Sequence, residues 1–295
     1  MGAALGFGFK VGHWTDATAK TGCTVVLPPR GSVASCDVRG SSPGSRELTL
    51  LDPDRRLTEA HAVLLTGGSA FGLAAADGVM QWLEDRDIGY RTPVATVPIV
   101  PAAVIFDLGS GRADVRPDAR AGLHACDAAT ELSVDIGAVG VGTGATVGKW
   151  AGLEFAVQGG LGIATLERED HAVSALVVVN SVGDVIGTDG TVIAGTTRPS
   201  PAPRSPAPVE QPVPMNTVLA VVATRGPRDK RDVRWLAARG SDGITQSIRP
   251  AHTRYDGDVT FALAAPSDGG PAPDLDVLGP LATDAVAAAI RNAVA

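Results

Sequence analysis

Between Pro199 and Pro214 the chain carries proline at 199, 201, 203, 206, 208, 212 and 214, and from Val218 it turns wholly apolar. Proline fixes φ and has no N–H to give to a ladder or a helix. This stretch therefore reads as an extended, accessible linker spanning about residues 195–215, and any fold must be assembled from a long block before it and a short block after it. The run Val218-Leu219-Ala220-Val221-Val222-Ala223 reads as a buried strand. Between them lies Met215-Asn216-Thr217. A cut between Asn216 and Thr217 would leave threonine at a new N-terminus, with a hydroxyl nucleophile and an amine base in one residue. On local sequence alone the plainer reading, a linker followed by a strand, prevails.

At 295 residues the chain has room for one large domain or two smaller ones. Its 36 glycines and few aromatics point to tight turns and close backbone approaches. A formal charge of −7 argues against nucleic acid as a partner. No uninterrupted apolar stretch is long enough to span a membrane, and the N-terminus lacks the basic and apolar regions of a secretory signal. Cys23, Cys36 and Cys126 are odd in number and widely spaced, which fits neither a disulfide framework nor a zinc site. The expected compartment is the cytoplasm. No cofactor or metal is expected.

Strands are predicted at residues 23–27 and 32–38, the second pairing with the first as a hairpin, and at 62–65, 175–179 and 259–264. Helices are predicted at residues 70–87, with Phe71, Ala74, Ala75, Val79, Trp82 and Leu83 facing the core, and at 117–131, with Pro117 in the first turn. Two more are predicted at 227–248 and 275–295, the last capped by Asp274. Residues 41–46 read as loop, and the glycine-rich stretch 136–162 as strands and bends. Strands and helices intermix without steady alternation, so the expected class is α+β with at least one largely antiparallel sheet.

Most chemical motifs fail on context. Gly140-Val141-Gly142-Thr143-Gly144-Ala145 lacks the following helix of a dinucleotide fingerprint, and Trp150 stands where a phosphate loop after Gly148-Lys149 needs Ser or Thr. Gly67-Gly68-Ser69-Ala70-Phe71-Gly72 is out of register for a nucleophile elbow. It could aim N–H groups at an oxyanion, or simply let a strand pack tightly on a helix. His13, His61, His124, His171 and His252 show no metal spacing and read as structural. Asp256 and Asp258 share one face if a strand begins there, and could then titrate as a pair beside a hydroxyl; a solvated turn is the plainer reading. Lys149 reads as a surface lysine or as a counter-charge to those carboxylates, and Asn180 as a strand-end residue or an oxyanion donor.

Taken in order, these residues resemble a family. The pieces are Val11-Gly12-His13, Thr15-Asp16, Thr21-Gly22-Cys23-Thr24-Val25, Leu65-Thr66-Gly67-Gly68-Ser69-Ala70-Phe71-Gly72, the stretch from Gly142 to Lys149, Asn216-Thr217-Val218, and Asp256-Gly257-Asp258. The chain resembles the self-processing N-terminal-nucleophile hydrolases that unite L-aminopeptidase/D-esterase enzymes (peptidase family S58) with nylon-oligomer (6-aminohexanoate oligomer) endohydrolases. The Asn-Thr junction and the Asp-Gly-Asp form place it nearer the second branch.

The resemblance implies a four-layer α/β/β/α sandwich, a single domain made of two processed chains, residues 1–216 and 217–295, assembled as a homotetramer. It implies self-cleavage at Asn216–Thr217, then amide hydrolysis through an acyl-enzyme on Thr217 with Lys149, Asn180, Asp256 and Asp258 in support. The substrate would be a small amide or peptide. Aminopeptidase relatives carry an acid and a tyrosine where residues 98–106 have neither; Phe106 takes the tyrosine position, which implies a more apolar approach to the site. The alternatives are an acyltransferase of the ornithine acetyltransferase type, using the same acyl-threonine, and an unprocessed, non-catalytic binding protein.

Overall fold

The computed structural model describes residues 2–199, 216–226, 229–267 and 273–295. The expected linker therefore falls outside the described residues from position 200 onward, as does Pro227 at the expected start of the third helix.

Two five-stranded sheets form the centre. The strands are β1 (Lys10–Asp16), β2 (Thr21–Leu27), β3 (Val33–Val38), β4 (Ser45–Arg46), β5 (Val63–Thr66), β6 (Ala102–Val104), β7 (Gly160–Arg168), β8 (His171–Asn180), β9 (Thr217–Arg225) and β10 (Val259–Ala265). The first sheet has the order β1-β2-β5-β6-β4 and the second β7-β8-β9-β10-β3. All neighbours are antiparallel except β5–β6 and β9–β10. The helices are α1 (Ala75–Glu84), α2 (Ala119–Asp127), α3 (Lys230–Ser247) and α4 (Leu275–Asn292).

The period of two along each strand builds the layers. In β9, Leu219, Val221 and Ala223 enter a core between the sheets, with Val26, Leu65, Leu176 and Phe261. Val218, Ala220 and Val222 face the other way, onto Leu236 and Ile244 of α3 and Val286 and Ile290 of α4. On the outer face of the first sheet, Cys23, Val25 and Leu64 meet Ala75, Val79 and Leu83 of α1 and Ala125 of α2. Strands buried on both faces explain why β8 and β9 read as continuous apolar runs rather than alternating ones. The result is the expected α+β sandwich of helix, sheet, sheet and helix layers.

Four local expectations are corrected. β3 does not form a hairpin with β2: it crosses to the second sheet and pairs with β10, Val38 opposite Val259. Residues 69–74 form a 3-10 helix before α1, which rotates Phe71 outward to 59% exposure beneath the Arg116 guanidinium. Pro117 precedes the α2 cap, where Asp118 accepts from the Ala121 N–H. Ser45–Arg46, expected as loop, is an edge strand. Asp274 caps α4 as expected, accepting from the Asp276 N–H.

Candidate active site

Strand parity places the nucleophile candidate. Thr217 lies an even step from Leu219 and Asn180 an even step from Val178, so both side chains fall on the inter-sheet face, and the two residues are directly paired across β8 and β9. They sit where the sheets' apolar filling ends. Thr217 is 6% exposed and Asn180 is fully buried. One residue upstream, Asn216 bridges Asp256 in parallel.

The Asp256-Gly257-Asp258 segment precedes β10 rather than belonging to it, so the shared-face argument does not hold. It is no solvated turn either, because both carboxylates are buried. The Gly257 N–H donates to the Asn216 carbonyl oxygen at 2.9 Å, and the Thr217 hydroxyl donates to the same oxygen at 2.6 Å. Asp258 Oδ1 accepts from the Val218 N–H at 2.7 Å. Asp256 Oδ2 accepts from the Thr253 N–H at 2.6 Å, while its Oδ1 is buried with no hydrogen-bond partner among the described residues.

Lys149 is buried, not a surface residue. It follows Gly148, whose φ of +75° and whose close approach to Thr196 N, 2.2 Å from any added Cβ, exclude a side chain. The Lys149 ammonium donates to the Asn180 carbonyl at 3.0 Å and to Asn180 Oδ1 at 2.8 Å. Asn180 Oδ1 also accepts from the Thr146 N–H, and its Nδ2 donates to the Phe106 carbonyl at 3.3 Å, beyond the end of β6 in the facing sheet. The side-chain amide of Asn180 is thus held at both its oxygen and its nitrogen.

Burial dominates the electrostatics. It pulls the Lys149 ammonium down to about 7, against the pull of the nearby Asp256 charge. It pushes the Asp256 carboxyl up to about 6, helped by the charge of Asp258. A neutral amine and a protonated carboxyl are therefore both accessible near neutral pH, the condition that general acid–base work requires. A pocket of about 160 Å³ opens beside Lys149, lined by Lys20, Phe106, Ser110, Thr146, Leu153 and Gln158 among others, with no carboxylate among its described lining residues.

All five residues singled out in the sequence meet here. Two more were not singled out. His252 Nδ1 lies 2.7 Å from Asp258 Oδ2. Asp107 is buried, accepting from the Thr21 hydroxyl and the Gly68 N–H, both at 2.7 Å. The Gly67 and Ser69 N–H groups are likewise spent on the carbonyls of Gly22 and Ile105. The Gly67-Gly68-Ser69 turn thus serves the chain's own carboxylate, and its three N–H groups are not open to an oxyanion. A Cβ on Gly67 would stand 2.1 Å from Asp107 Oδ2, which accounts for that glycine. The signal was a carboxylate closing the apolar run that ends at Phe106.

Within the helix, sheet, sheet and helix layers, a threonine thus heads an inner strand between two carboxylates and an asparagine. Residues 7–295 match Peptidase family S58, and the chain belongs to that family. It is 42% identical over 283 residues to an uncharacterized aminopeptidase of Mycobacterium leprae, covering 87% of this chain and 76% of the relative. It is 29% identical over 269 residues to the 6-aminohexanoate-oligomer endohydrolase of Agromyces sp., covering 87% and 72%. The structure of the L-aminopeptidase D-Ala-esterase/amidase of Ochrobactrum anthropi, a variant of the Ntn hydrolase fold, superposes with a TM-score of 0.71 at 19% identity, covering 98% of this chain and 85% of that one. Whole-chain identity is higher to the mycobacterial protein than to the oligomer endohydrolase. The chain is a hydrolase of amide C–N bonds. Among the described residues no helix is long and apolar enough to cross a membrane.

Proposed function

We propose that this hydrolase cuts its own Asn216–Thr217 bond and then uses the N-terminal Thr217 as nucleophile. The observation that carries the reading is the carbonyl of Asn216, held by the Gly257 N–H with the Thr217 hydroxyl 2.6 Å from its oxygen. Attack of Oγ1 on the carbonyl carbon places negative charge on an oxygen that already has a backbone donor. The C–N bond then breaks, the hydroxyl proton passes to the departing Thr217 nitrogen, and an ester remains on Oγ1. Water hydrolyses that ester, leaving the Asn216 carboxylate and a free Thr217 amine.

The free amine, with a reference pKa of about 8, then serves as the base that the uncut amide nitrogen cannot be. In turnover, Thr217 attacks the substrate carbonyl, Asn180 Nδ2 receives the oxyanion, Asp256 and Asp258 orient the threonine, and Lys149 offsets their charge. The leaving amine takes the proton and water releases the acyl group. Substrates are linear amides, either 6-aminohexanoate-type oligomers or small peptides. The relatives' activities and the lining of the pocket beside Lys149 both support this. The described lining residues offer a free substrate ammonium no counter-ion, so an N-acetylated peptide amide should be cleaved within about tenfold of its free-amine form; a loss of more than a hundredfold on acetylation would make the enzyme a strict aminopeptidase. The processed units assemble as a homotetramer in the cytoplasm, a setting consistent with three free, buried cysteines.

The test is Thr217→Ala, which should leave the chain intact and without amidase activity. Processing that survives this substitution would remove Thr217 from the reaction.

A further inference from the structure

Among the described residues, His252 is the one histidine whose ring meets the carboxylate pair. Its Nδ1 lies 2.7 Å from Asp258 Oδ2 and its Nε2 3.2 Å from the Ser241 carbonyl oxygen. A backbone carbonyl only accepts, and a carboxylate only accepts when ionised. With Asp258 ionised, both contacts are made at once only if both ring nitrogens carry protons. Resting on the reading of Thr217 as nucleophile, we propose that His252 is a positioning residue of this centre, an imidazolium that assigns the negative charge of the carboxylate pair to Asp258 and leaves Asp256 to carry the pair's proton.

The surroundings agree. Asp258 receives the Val218 N–H as well as the imidazole. Asp256 receives hydrogen bonds only from Thr253 among the described residues, from its N–H and its hydroxyl, and its second oxygen is buried. The other charges around the ring are largely matched. Arg39, beyond β3, is held by Asp37 and by Asp242 of α3, and Asp242 also pairs with Arg239. Burial lowers the His252 ring, but the hydrogen bond and charge of Asp258 outweigh it, and the net direction is upward. Anchoring Asp258 fixes the start of β9 through Val218, one residue from the nucleophile. Fixing the pair's charges leaves the orphan oxygen of Asp256 as the exchangeable site.

The discriminating variant is His252→Asn. Asparagine accepts the left-handed backbone found here (φ +54°) and can keep a hydrogen bond to Asp258, but carries no charge. In the purified full-length enzyme, with an amino-acid p-nitroanilide as probe, the acid limb of kcat should move up by about one pH unit. The loss should be about tenfold at pH 6 and about threefold at pH 9, with KM within about twofold. A loss spread evenly over pH would make His252 a simple prop and overturn the proposal. A second measurement does not depend on activity: 15N shifts of the His252 ring in the Thr217→Ala chain. Both nitrogens should be protonated at pH 6.5, and a neutral ring there overturns the proposal. Wild-type enzyme that does not cleave the anilide would count against the hydrolase reading, while the ring nitrogens still decide the state of His252.

Discussion

Gly257 leaves no room for a side chain at the junction. A Cβ there would stand 2.8 Å from Thr217 Oγ1 and 2.9 Å from the Ser42 carbonyl. Gly257→Ala should displace the hydroxyl or the N–H that holds the Asn216 carbonyl, and self-cleavage should slow by about a hundredfold, as for a lost oxyanion donor. A time course of chain separation on a denaturing gel measures this, and an unchanged rate would mean that the Gly257 donor plays no part. Thr217, Asn180, Lys149, Asp256 and Asp258 were legible because their motifs occur in an order that resembles a family. His252 and Asp107 were not. A single histidine four residues before Asp256 has no periodic or spacing signal, and it meets Asp258 only because the chain turns at a positive φ. Asp107 draws its meaning from Thr21 and Gly68, which are distant in sequence.

At the scale of elements, the sequence reports what is local. The apolar runs of β5, β8, β9 and β10 and the cap of α4 stand close to where they were expected. The pairing of β3 was illegible, because Pro28-Pro29 and Gly31 mark a turn without saying which sheet the chain turns toward. The outward Phe71 follows from three residues per turn in the 3-10 segment, which shifts the buried face away from the one a 3.6 period predicts. The α1–α2 contact is set by glycines: a Cβ on Gly78 would lie 1.7 Å from the Ala119 carbonyl oxygen, and one on Gly122 1.9 Å from that of Ala75. Gly→Ala inside a helix ordinarily stabilises by about 1 kcal/mol. Here Gly78→Ala should instead destabilise by about 2 kcal/mol through overpacking, read as a lower urea midpoint. A gain in stability would show that the helices part without penalty.

For the whole molecule, the four layers bury the site's charges, and that burial opposes stability. Asp256 has its folded-state pKa raised from 3.8 to about 6. Its protonated form therefore favours the fold below pH 3.8, and that contribution is lost as pH rises through 6. Asp256→Asn removes the titration. In the uncut Thr217→Ala background it should gain up to about 3 kcal/mol between pH 4 and pH 8 relative to the parent. Urea melts at the two pH values measure the difference, and a gain equal at both would contradict a raised Asp256. The layered class was legible from intermixed strands and helices together with the family resemblance. The inter-sheet placement of Thr217 needed the register of β8 against β9, which no local pattern contains.

We propose that the chain becomes active by cutting itself before Thr217. The most direct measurement is the mass of the purified wild-type chain beside Thr217→Ala under denaturing conditions. Two species ending at Asn216 and starting at Thr217 are expected for the wild type, and one species of 29.9 kDa for the variant. A wild-type enzyme that hydrolyses amides while remaining a single 29.9 kDa chain would contradict the account.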